Sequence, residues 1–187
     1  MNRLLFTDVI LPERNLEERW DVTVEGGRIA SILSQGSGDL SSAEVIEGKG
    51  RWLLPGFIDD HVHLREPGLE EKEGYWTGTR AAAAGGVTTL LEIQNNPPLM
   101  TSRDALIAKR DLVLPKSVIH VGMYASLVPE AKGQLAEMSD LVDGYKLFMG
   151  PSTGNLDVGG DEILGPLFAF QSTKGDAFLF IGRLAAS

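Results

Sequence analysis

The chain has no cysteine. That excludes a disulfide framework and any thiolate metal site. Histidine is scarce, with three in 187 residues, so an imidazole site has few candidates. No apolar run approaches the length that crosses a bilayer. The N-terminus from Met1 to Leu11 carries Asp8 and no long apolar core, so it does not read as a signal peptide. Cationic residues are outnumbered, 17 Lys and Arg against 26 Asp and Glu, for a net charge of -9. Such a balance argues against nucleic acid or an anionic membrane as partner. A cytoplasmic location is the default expectation.

What is present is a globular composition, 43% hydrophobic and 23% charged, long enough for one ordinary domain. Residues 3–10 read as a strand. Trp20 to Val24 and Arg28 to Leu33 alternate around Glu25-Gly26-Gly27, which predicts a hairpin. Residues 35–42 are Gly/Ser-rich and read as a loop, and Glu44 to Glu47 form a further short strand. Residues 1–54 thus predict a small antiparallel β unit, closed by Pro55-Gly56. Beyond it, strand-like runs at 57–63, 87–93, 118–124 and 143–149, with a weaker one at 177–182, alternate with helical patterns. Tyr75 to Ala84 is Ala-rich and is stopped by Gly85-Gly86. Thr101-Ser102-Arg103-Asp104 reads as a capping box opening a helix to about Leu112. Pro129 opens a helix with Ala131, Leu135 and Met138 on its apolar stripe, and another pattern spans 161–171. This alternation predicts parallel βα units in an α/β fold over residues 55–187. Periodicity leaves open a doubly wound sheet or a (β/α)8 barrel.

The densest chemical signal is the run from Gly56 to Gly68. On a strand, Phe57, Asp59, His61, His63 and Arg65 share one face, while Ile58, Val62 and Leu64 point into a packing layer. Two imidazoles two residues apart at a strand end can hold one metal ion from one side, and imidazole suits zinc and its neighbours. The plain alternative is a surface strand with incidental histidines. Lys146 lies in an otherwise apolar strand, where a lone ammonium is costly. It needs a carboxylate partner, a solvated edge or a chemical role. His120 reads as structural. Gly150 to Asn155 reads as an active-site loop rather than a phosphate nest, since no helix-opening Gly-Lys-Ser/Thr follows.

The run Asp59-x-His61-x-His63-Leu64-Arg65-Glu66-Pro67-Gly68, the stretch Gly78 to Thr89, and Lys146-Leu147-Phe148-Met149-Gly150 together resemble the cyclic amidohydrolases, and within them dihydroorotase. The likeness extends to about Leu167. It implies a (β/α)8 barrel, of which residues 55–187 make about half the ~250 residues a complete one takes. It implies two divalent metal ions, zinc being expected, held by His61, His63 and a Lys146 carboxylated by carbon dioxide. Such ions supply a nucleophile near neutral pH and polarise an amide carbonyl. The implied reaction is the interconversion of N-carbamoyl-aspartate and dihydroorotate in pyrimidine biosynthesis. Arg65 would take the substrate carboxylate. The second substrate contact, an Asn in the family, falls on Gln94 here, with Asn95 as the substitute if the loop shifts by one.

Glu73-Gly74-Tyr75 and the following Thr77-Gly78-Thr79-Arg80 look more like allantoinase. The family's two further metal histidines and its catalytic Asp have no counterpart, since no histidine follows His120. The expectation is therefore the N-terminal part of a dihydroorotase-like enzyme, inactive alone. Its partner would be a small cyclic amide or ureide, with neither nucleic acid nor membrane, and the full-length form would be a homo-oligomer. The rival readings are an allantoinase or hydantoinase, or a non-catalytic pseudoenzyme or assembly partner.

Overall fold

The computed structural model describes residues 3–131 and 133–148. The chain divides into two compact units, Met1–Pro55 and Gly56–Ser187.

The first unit is one four-stranded sheet of β1 (Arg3–Val9), β2 (Trp20–Glu25), β3 (Arg28–Ser34) and β4 (Glu44–Glu47), in the order β3-β2-β1-β4. The predicted hairpin is β2–β3. Its two loop residues, Gly26 and Gly27, have φ of 59° and 76°, the left-handed pair that a type I′ turn requires and that glycine adopts freely. The sheet is not wholly antiparallel, because β4 runs parallel to β1. The chain between β3 and β4 crosses the sheet to the far edge of β1, which a tight hairpin cannot do. The core is Val9, Leu11 and Val22, packed by Phe6, Trp20, Ile32 and Leu53. Asp21 is also buried, and its carboxylate accepts from the backbone N–H groups of Asp8, Gly36 and Gly38. Those three bonds offset the cost of taking the charge inside.

The second unit alternates strand and helix. The strands are β5 (Phe57–Val62), β6 (Val87–Glu92), β7 (His120–Ser126) and β8 (Gly144–Lys146). The helices are α1 (Tyr75–Ala84), α2 (Arg103–Val113) and α3 (Leu135–Met138), with a 3-10 turn at Pro129–Ala131. All neighbouring strands are parallel and lie in chain order, β5-β6-β7-β8. A doubly wound sheet reverses its strand order at a switch point, and this sheet does not. It is the first half of a (β/α)8 barrel.

Local signals place most boundaries. Gly85 and Gly86 end α1, with Gly86 at φ 83°. The cap of α2 is Ser102, whose hydroxyl accepts from Ala105 N at 3.2 Å, one position later than a box opened by Thr101. The helix expected from Pro129 is broken. Pro129 opens only the 3-10 turn, Gly133 turns left-handed at φ 93°, and α3 begins at Leu135. Ala131, Leu135 and Met138 nevertheless share one core with Met100, Leu106, Ala125, Leu127 and Leu147. The apolar stripe set the packing, and Gly133 interrupted the helix. Ile58 was expected in a packing layer but is 69% exposed. Among the described residues β5 has a strand neighbour on one side only. The patterns at 161–171 and 177–182 and the loop from Gly150 to Asn155 lie outside the described residues. Among the described residues no helix is long and apolar enough to cross a membrane.

Gly122 fixes how closely β7 sits against its neighbours. A Cβ there would lie 2.4 Å from Leu91 Cδ2 and 2.5 Å from Asp143 Oδ2, and that Asp143 oxygen accepts from Met123 N at 3.0 Å. Gly122→Ala is expected to cost about 1–3 kcal/mol, the usual range for overpacking. The check is the midpoint of chemical denaturation, and an unchanged midpoint would mean the strands part freely.

Candidate functional site

Parallel strands put the C-terminal ends of β5, β6 and β8 at one rim of the sheet, where barrel enzymes carry their chemistry. His61 is still on β5, and His63 lies just beyond its end. Their rings meet edge to face, with centroids 5.1 Å apart and planes at 85°. His63 Nδ1 is 2.7 Å from Ile93 O. A carbonyl oxygen can only accept, so Nδ1 carries the proton and donates. Nε2 keeps its lone pair, the form in which imidazole binds a metal. Burial lowers the pKa of both imidazoles, and the Lys146 ammonium adds to the shift at each. Both rings are therefore biased towards the neutral state. Asp59, which shares the strand face in the sequence pattern, braces the backbone by accepting from His61 N at 3.1 Å.

Lys146 ends β8 and is 5% exposed. Among the described residues no carboxylate pairs with it; its nitrogen lies 5.0 Å from the centre of the Phe148 ring. Burial alone pushes its pKa down. An unpaired amine biased towards the uncharged state is the form that can add carbon dioxide and become an anionic, bidentate ligand.

Arg65 and Asn95 meet across the rim. Arg65 Nη1 donates to Asn95 Oδ1 at 2.6 Å, joining the segment after β5 to the segment after β6. Arg65 has φ 61°, a left-handed backbone costing an ordinary residue roughly 1–2 kcal/mol, so the loop around it is held by other contacts. Glu66, the acid next to Arg65 in the sequence, pairs with Lys116 and accepts from Tyr75 N at 2.9 Å.

Gln94, expected from the sequence to be the second substrate contact, is buried with its amide fully engaged. Nε2 donates to Pro67 O at 3.1 Å and Asn96 O at 2.9 Å, and Oε1 accepts from Lys109. Asn95 is the residue at Arg65. Position 94 faces inward to Lys109, and the next residue meets Arg65. His120 begins β7, at the opposite end of the sheet from the rim.

The sequence reading missed the Glu92–Lys109 pair, 2.5 Å apart with both side chains 1% exposed. A signal was available. Lys109 lies three residues after Leu106 and four before Val113, on the inward face of α2, and all three are buried. A lysine on an apolar stripe needs a buried acid.

Among the described residues no three His, Asp or Glu side chains converge to hold a metal ion. The imidazoles at the rim are His61 and His63; Lys146 would join them as a ligand only through the two oxygens of a carbamate formed on its nitrogen. The free Nε2 of His63 and the unpaired burial of Lys146 fit such a centre.

A parallel half-barrel whose rim gathers two imidazoles, a buried lysine and an Arg–Asn pair has the architecture of the amidohydrolase superfamily. Residues 50–144 match the Dihydro-orotase-like family, and the chain belongs to that family. Among curated relatives it is 38% identical over 148 residues to an allantoinase of Streptomyces avermitilis, covering 78% of this chain and 33% of that one. It is 33% identical over 172 residues to a dihydroorotase of Elusimicrobium minutum, covering 91% and 39%. The L-hydantoinase (dihydropyrimidinase) of Arthrobacter aurescens superposes with a TM-score of 0.84 at 24% identity, over 96% of this chain and 40% of that one. That likeness speaks for the fold. The chain thus spans between a third and two-fifths of the length of these relatives.

Proposed function

We propose that this chain supplies the metal-binding and carboxylate-reading part of a metal-dependent cyclic amide hydrolase, with dihydroorotate and N-carbamoyl-aspartate as the substrate pair. The observation that carries the substrate is the Arg65–Asn95 contact beside the histidine pair. Among the described residues Asn95 is the only partner of the Arg65 side chain. A guanidinium has five N–H donors, so the fork can take a carboxylate as well. His61, His63 and carboxylated Lys146 would hold divalent ions, zinc by ligand type. When bound, such ions polarise the scissile amide and supply a nucleophile near neutral pH.

The chain's own residues do the rest. Ile93 O fixes the tautomer of His63, and Asp59 steadies the backbone at His61. Arg65 and Asn95 hold the ring by its carboxylate and amide edges, which orients the bond to be cut. The proton-accepting aspartate of the family and its later histidines would come from strands beyond those described. The second reading is allantoinase, favoured by the 38% identity to the Streptomyces avermitilis enzyme and by Glu73-Gly74-Tyr75.

The test of the metal site uses the 187-residue chain. Zinc uptake, read by equilibrium dialysis and elemental analysis, is expected to be measurable but weak, and to fall by more than about tenfold in His61→Ala and in His63→Ala. Equal uptake in both variants would remove the pair from the metal site. Turnover on dihydroorotate, allantoin and hydantoin is read in a barrel completed with a relative's remaining strands. A preference for uncharged allantoin would decide for the second reading.

A further inference from the structure

We propose that Lys109, on α2, is a positioning residue for the Arg65–Asn95 pair and acts through the amide of Gln94. The proposal rests on the reading of that pair as the substrate-binding contact.

An ammonium group only donates. Lys109 gives one N–H to Glu92 Oε2 at 2.5 Å and another to Gln94 Oε1. The second bond dictates which way the Gln94 amide faces. Its oxygen must point at Lys109, and its NH2 group must point the other way. That NH2 then holds Pro67 O at 3.1 Å and Asn96 O at 2.9 Å. Pro67 lies two residues after Arg65, and Asn96 is next to Asn95. One amide thus ties together the two loops that carry the two halves of the pair.

Asn96 strengthens the tie through its own Nδ2, which donates to Pro67 O at 2.9 Å and reaches Arg65 O at 3.4 Å. The left-handed Arg65, at φ 61°, sits inside this lattice. On its far side Glu66 is held by Tyr75 N and Lys116.

Glu92 alone would neutralise Lys109. The bond to Gln94 adds a direction, and the direction is what reaches the rim. Turned end for end, the Gln94 amide would offer an oxygen to two carbonyls and release both loops. The bonds run in series from Lys109 through the Gln94 amide to both loops, so removing the cation is felt at the far end.

The experiment uses the 187-residue chain and the probe phenylglyoxal, which labels arginine. Labelling of Arg65 is followed by peptide mass spectrometry, with exposed Arg110 on α2 as the internal reference. Backbone hydrogen exchange at Leu69, whose N–H is held by Arg65 O at 3.0 Å, is read in parallel. The variants are Lys109→Met, Gln94→Met and their combination, with Leu106→Ala as a destabilised control on the same helix. Lys109→Met and Gln94→Met are each expected to raise Arg65 labelling relative to Arg110 by about three- to tenfold, the population change that goes with one lost hydrogen bond. The combination is expected to add little more, since the two act in series. Leu106→Ala is expected to leave the ratio unchanged.

If Lys109→Met does not fold, Glu92→Gln combined with Lys109→Met removes both buried charges and carries the same test. Unchanged Arg65 labelling and Leu69 exchange would overturn the proposal, as would an equal rise in Leu106→Ala. Labelling that rises as expected, in a protein that proves indifferent to the substrate's carboxylate, would support the role of Lys109 and sink the dihydroorotate reading alone.

Discussion

Lys146→Ala is expected to abolish metal-dependent hydrolysis in a barrel that joins this chain's first 148 residues to the remaining strands of a curated relative. The loss should exceed the about 10- to 100-fold that changes one shell away from a metal cost, because the side chain itself is the proposed bridging ligand. Two features motivate it. Lys146 is buried at the end of β8, and no described carboxylate neutralises it. A structural lysine in that position would be expected to have an acid, as Lys109 has Glu92. Metal content by elemental analysis should fall together with turnover, and a short carboxylic acid added to the assay should restore part of both. Full metal content and normal turnover in Lys146→Ala would refute the ligand assignment.

Arg65→Met in the same completed barrel should lose transition-state stabilisation on dihydroorotate on the order of 2–5 kcal/mol, roughly thirty- to several-thousand-fold in kcat/KM, where the charge pair is desolvated. Hydantoin, which has no carboxylate, should lose far less. The comparison of the two substrates is the measurement. It separates a lost charge pair from a collapsed loop, which the left-handed backbone at Arg65 makes a real competitor. Equal losses on both would make Arg65 structural and remove the carboxylate from the proposed substrate.

The two site predictions differ in how much of their basis was legible in the residues. His61 and His63 could be read as a pair from spacing alone, because strand alternation puts i and i+2 on one face. The structure added that His63 leans on Ile93 O, a contact 30 positions away that fixes which nitrogen is free. Lys146 stood out as a cation in an apolar strand, but local sequence offered a hidden carboxylate partner equally well. Among the described residues no carboxylate pairs with Lys146, and its nitrogen lies near the Phe148 ring.

Position 94 shows the limit most clearly. Counting from Pro97-Pro98 put Gln94 at the substrate, and the structure turned it inward to Lys109 and placed Asn95 on Arg65. A loop leaving a strand has no fixed period, so sequence alone did not say which of two adjacent amides faces the rim. Ile58 failed for a related reason. Its pattern named a face, but burial depends on whether something lies against that face.

What the sequence determined by itself was the grammar. Alternating short strands and a Gly-Gly turn specified the first unit's hairpin. Strand–helix alternation with Gly85-Gly86 and Ser102 as punctuation specified parallel βα units. These are local effects of side-chain period, caps and turn residues, and each is written within a few residues. The tertiary structure decided the rest. It put β4 parallel to β1, ordered β5 to β8 without reversal, and wired Lys109 through Gln94 to the Arg65 loop. Each of those depends on contacts between residues far apart in the chain, whose energies are set by which surfaces and polar groups meet, and no local pattern carries that information.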